Sequence, residues 1–150
     1  MRRATTVSIV IAALVAAALA APGVAAKAQF TTVRATLSPA GDPDGTGTAL
    51  LELDAKDEAV CYRIHTEKVT TPITEAGVVF GETGEVVLEL LVIDSGPDLE
   101  ECVSVSRFQG HGRQEIRRIG KDPGAYFLEL YNDEHPSSPG AVRGQLEGVS

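Results

Sequence analysis

The chain has 150 residues, 43% of them apolar, and carries 13 basic against 21 acidic side chains for a formal charge of −8. The apolar content suffices for one domain with a real core. The acidic balance excludes a nucleic-acid binder and disfavours adsorption to anionic membranes.

At the N-terminus, Arg2 and Arg3 precede an apolar run from Val7 to Ala21, and Val24-Ala25-Ala26 offers small residues for cleavage. This is the pattern of a secretory signal peptide over residues 1–26. The run is shorter than the roughly 20 residues of a membrane span, and Pro22-Gly23 ends it. No cysteine lies near the cleavage region, which argues against a lipid anchor. The expected product is a secreted, extracellular domain over residues 27–150, with no span left after cleavage. Its charge is more negative still, because the leader removes two arginines and no acid.

Beyond the leader there is no long helical period and no internal repeat. Short alternating runs are parted by Gly, Pro and Asp clusters, the pattern of an all-β domain. Phe30–Ser38 turns Val33, Ala35 and Leu37 to one side, followed by the turn-rich "PAGDPDG". Thr46–Asp54 points Ala49, Leu51 and Leu53 inward; Ala59–Thr66 does so with Val60, Tyr62 and Ile64. Gly77–Phe80 reads as a short strand, "GETGE" as a hairpin turn, and Glu85–Ile93 as the returning strand. Cys102–Ser106 follows, with Val103 and Val105 inward.

"GRQEIRRIG" carries Ile116 and Ile119 three apart and ends on Gly120, which predicts one short helix. The next strand sets Tyr126, Leu128 and Leu130 against Phe127, Glu129 and Tyr131. The last has Val142 and Leu146 inward around Gly144, with Arg143 and Gln145 outward. About eight strands in this length predict an immunoglobulin-like Greek-key β-sandwich or a flattened barrel.

Cys61 and Cys102 are the only cysteines, and in an oxidising compartment they are expected to pair. Alternation puts both on the polar side of their strands. Their bridge should therefore staple an outer face or an edge rather than cross the core.

Two segments resemble a known family. "ATLSPAG", "GTGTALLELD" and "CYRI" are similar to the opening of the CHRD domain, a module named after chordin and widespread in secreted bacterial proteins. "DPGAYFLELYNDEHP" followed by "PGAVRGQL" resembles its closing hairpin. The likeness runs from about Arg34 to Glu147. It implies an immunoglobulin-like sandwich with motifs similar to copper-zinc superoxide dismutase, and a role in binding or adhesion outside the cell. The family's Ala-His-Ile-His is replaced here by Ala76-Gly77-Val78-Val79, and its His-Thr pair by Tyr131-Asn132.

The remaining chemistry is sparse. His65, His111 and His135 show no spacing that would put two imidazoles on one strand face, so neither a metal nor a cofactor is expected. "DPDGTGT" starts like a calcium loop at Asp42, but Leu53 stands where the bidentate Glu belongs, so an ordinary turn is the better reading. There is no Gly-x-Ser-x-Gly elbow and no phosphate loop. Arg143 is expected to pair with Glu129 across the last two strands.

The expected function is a non-enzymatic extracellular binding or structural module. The alternative is a metal-dependent oxidoreductase on a dismutase-like sandwich. The candidate binding surface is Asn132, Asp133, Glu134, His135 and Arg143, with the loop between Thr66 and Thr74 beside it. The expected partner is an extracellular protein or a cell-envelope component.

Overall fold

A computed structural model of the chain describes residues 30–90, 92, 95–105 and 111–149. The expected signal peptide, residues 1–26, lies outside the described residues, as do Leu91, Ile93 and Ser106. No helix among the described residues is long and apolar enough to cross a membrane.

Eight strands form. They are β1 (Thr31–Pro39), β2 (Thr46–Asp54), β3 (Ala59–Glu67), β4 (Ile73–Phe80), β5 (Glu85–Leu90), β6 (Asp98–Ser104), β7 (Tyr126–Asn132) and β8 (Val142–Gly148). One helix, α1 (Gly112–Lys121), and a 3-10 turn at Pro123–Ala125 stand between β6 and β7. The strands pair antiparallel in one continuous order, β5-β4-β7-β8-β1-β2-β3-β6. The all-β class, the strand count and the single helix are as the pattern predicts. Where two stacked sheets were expected, β8 pairs with both β1 and β7 and joins the strands into one sheet.

That sheet is curled nearly into a barrel. β3 and β4 stand five strand positions apart, about 24 Å if the sheet were flat. Only residues 68–72 connect them, and an extended chain spans at most about 3.5 Å per residue. The two ends of the sheet must therefore approach each other. The β5–β6 connection bridges them: Thr66 N–H donates to the Pro97 carbonyl at 2.8 Å, and Ile73 N–H to the Ser95 carbonyl at 3.2 Å.

One face of all eight strands fills a single core. Leu37, Leu51, Leu53, Leu88, Leu128, Leu130 and Leu146 are all essentially inaccessible. Each such side chain contributes roughly 1.5–3 kcal/mol by leaving water. Ile116 and Ile119 bury the apolar stripe of α1 in the same cluster. Gly144 allows β8 to pass close to β1: a Cβ there would collide with the Thr36 carbonyl.

The larger departures from the expected boundaries are at the starts of β4 and β6. β4 begins at Ile73 rather than Gly77, because a register shift between Ile73 and Glu75 breaks its alternation. β6 begins at Asp98, four residues early, on a polar stretch that its pairing with β3 recruits. β5 is described only to Leu90. The Cys61–Cys102 disulfide is present, joining directly opposed residues of β3 and the edge strand β6. Cys102 is exposed and Cys61 half-buried, so the bridge lies on the outer face.

Candidate functional site

Antiparallel pairing gathers three loops at one end of the sheet. β1 ends opposite the start of β8, since Pro39 pairs with Val142. β4 starts opposite the end of β7, since Ile73 pairs with Asn132. Loops 40–45, 68–72 and 133–141 therefore meet. The backbone N–H groups of Ala40, Gly41 and Asp42 all donate to the Ala141 carbonyl, at 2.9–3.1 Å.

Asp42 is the centre of this end, 4% exposed. Its Oδ2 accepts from the Thr70 N–H at 2.8 Å and from the Asn132 amide at 3.3 Å. Its Oδ1 lies 3.3 Å from the Thr70 hydroxyl and 3.4 Å from His135 Nε2. Asn132 also donates to the Thr70 carbonyl at 3.0 Å, and its side-chain oxygen accepts the His135 N–H at 2.8 Å. The His135 ring lies against Gly41, where any Cβ would overlap it. Glycine at 41 is what lets the imidazole reach the carboxylate. Asp42, Glu134 and His135 each bring one donor atom within 4.8 Å of the other two.

Of the five residues expected to form a surface, Asp133, Glu134 and His135 stand in the same loop, the first two exposed and the third partly so. Asn132 does not belong to the surface. It is 1% exposed and works from below, fixing the loop to Asp42 and Thr70. The turn reading of "DPDG" holds, with Gly45 N–H donating to the Asp42 carbonyl at 3.3 Å, and Leu53 is core. The role of Asp42 and Thr70 was missed. Asp42 is 90 positions from Asn132, and no local spacing links them.

Arg143 belongs to a neighbouring network. Its Nε is 3.2 Å from Oε1 of Glu129, which is 0% exposed, and its guanidinium lies 3.9 Å over the Phe127 ring. Glu129 also accepts from the Tyr131 hydroxyl at 2.7 Å and from the Ser138 hydroxyl at 3.1 Å. The expected Arg143–Glu129 pair is there, with Glu129 fully buried and Arg143 partly so, and Ser138 of loop 133–141 also donates to the carboxylate. Burial, and then the bond to Glu129, push the Tyr131 phenol well above its ordinary value.

The outward positions Gly77 and Val79 of β4 share this side of the sheet with Tyr131. A Cβ at Gly77 would lie 3.9 Å from the Tyr131 ring. The places where the resemblance leads one to look for histidines thus form one patch, here filled by tyrosine and aliphatic groups.

The other two histidines stand apart. His65, on β3, is 2.6 Å from Asp98 and 3.7 Å from Glu67. The hydrogen bond to Asp98 raises its pKa, with further support from the charges of both acids. His111 is exposed just before α1, beside a depression of about 660 Å³ between α1 and β5.

A family model for the CHRD domain matches residues 27–146. No curated protein and no solved structure matches the chain. The match spans most of the sequence and every strand but the end of β8, so the chain belongs to the CHRD domain family, an extracellular-type module.

Proposed function

We propose that this protein is a secreted, non-enzymatic CHRD module that binds a partner outside the cell through the end of the sheet where loops 40–45, 68–72 and 133–141 meet. The observation that carries the reading is the hydrogen-bonded framework of that end. Buried Asp42 and Asn132, hydrogen-bonded to Thr70, anchor the loop that carries exposed Asp133 and Glu134, and a preorganised loop loses little entropy on binding. Family membership and the outer-face disulfide support the extracellular setting. Residues 1–26 would direct export, and residues 27–150 would be the mature domain. The exposed acids suit a positively charged segment of an extracellular protein or cell-envelope component.

The test uses mature domain co-sedimented with isolated envelopes of the producing cells. Asp133→Lys should abolish the association, while Lys56→Glu, in the β2–β3 turn at the other end, should leave it intact. Equal sedimentation of wild type and Asp133→Lys, or none by either, would refute the reading.

A further inference from the structure

We propose that Asp42, Glu134 and His135 form a binding site for a divalent transition cation of the zinc class. The donor set is one imidazole nitrogen and two carboxylates. Imidazole with carboxylate suits zinc and its neighbours, whereas calcium and magnesium take oxygen ligands throughout. The three donor atoms already lie within 4.8 Å of one another.

Spacing separates this group from a hydrogen-bonded pair. Metal–ligand bonds of about 2.0–2.2 Å at tetrahedral angles place neighbouring donors about 3.4 Å apart. His135 Nε2 and Asp42 Oδ1 are 3.4 Å apart, beyond the usual 2.7–3.2 Å of an N–H···O bond. The contrast is His65, which closes to 2.6 Å on Asp98 as a hydrogen bond does. The first spacing is that of two ligands on one ion, and the second is that of a hydrogen bond.

The surroundings are those of ligands held in place. Oδ2 of Asp42 accepts from the Thr70 N–H and the Asn132 amide, while Oδ1, which also accepts from the Thr70 hydroxyl, is turned toward His135. Asn132 fixes His135 through the backbone, and the His135 ring packs over Gly41. Such outer partners orient metal ligands and set their affinity. Among the described residues, no lysine or arginine pairs with the buried Asp42 carboxylate, and His135 is the basic side chain beside it. A cation would supply the missing charge. Glu134 is exposed, so water or a donor from a partner can complete the coordination.

This site does not require the envelope-binding reading, and the two fail separately. Untagged mature protein is stripped with chelator, dialysed against zinc, and its metal content and melting temperature are measured. Wild type should retain one zinc per chain and melt higher with zinc than without. Glu134→Gln and His135→Gln should each weaken retention about tenfold or more and abolish the thermal shift. Glu134→Gln changes an exposed side chain and keeps its shape, so its metal-free melting should match wild type. Asp133→Lys, outside the donor set, should keep the metal even where it loses envelope binding. No retained zinc in wild type would overturn the proposal, as would retention unchanged in both Gln variants or retention lost in His65→Gln alone.

Discussion

Replacing Arg143 with methionine should destabilise the fold by about 3 kcal/mol. The reasoning starts from Glu129, which is 0% exposed and holds Arg143 Nε at 3.2 Å. Removing one member of a buried ion pair costs about 3–5 kcal/mol, because the other charge is left without compensation. Here the lower end applies. The Tyr131 and Ser138 hydroxyls still donate to the carboxylate, and the Arg143 side chain is 28% exposed, so water can follow it in. Methionine keeps an apolar stem against Phe127 but forfeits the cation–π contact, itself worth about 0.5–1 kcal/mol. The assay is urea unfolding at neutral pH with the disulfide intact. Arg34→Met is the control. It removes an ion pair to Glu147 in which both side chains are about two-thirds exposed, and should cost under about 1 kcal/mol. Adding Glu129→Gln to Arg143→Met should recover much of the loss, since no buried charge then remains. If Arg143→Met unfolds at the same midpoint as Arg34→Met, or if Glu129→Gln recovers nothing, the buried-charge argument is wrong.

Two further outcomes follow from the same structure. The Tyr131 phenol holds its proton above its ordinary value, whereas an unfolded tyrosine loses it near about 10. Its contribution is therefore fully present below that pH, and stability falls as pH rises beyond it because the unfolded chain then binds fewer protons. Tyr131→Phe should flatten this alkaline loss in pH-dependent urea midpoints without abolishing it, since Tyr62 and Tyr126 are shifted the same way; unchanged slopes would count against it. Cys61 and Cys102 close a loop across 41 positions, so Cys61→Ala with Cys102→Ala should cost up to about 4 kcal/mol on the chain-entropy account. Reductant should destabilise wild type to match and leave the double variant unmoved.

Much of this architecture is local and was legible as such. Val33, Ala35 and Leu37, or Val60, Tyr62 and Ile64, declare their strands because side chains alternate and one side must leave water. Ile116 and Ile119 declare α1 by the same logic at helical period. The outer-face position of the disulfide also followed from alternation alone. β4 was half hidden, since both of its faces are covered along Ala76, Gly77, Val78 and Val79, and their burial in succession erases the period.

What alternation could not reveal was the company each side chain keeps. Glu129 points away from the core on β7, as its parity requires, yet it is buried because Arg143, Tyr131 and Ser138 close over it. Asn132 and Asp42 look like loop residues in sequence and are buried partners in space. Parity is a property of one strand, and the sequence by itself determined it, together with the family and the β-class. Strand order and curl are properties of all eight strands at once. Only they bring loops 40–45, 68–72 and 133–141 to one end, and with them Asp42 to His135.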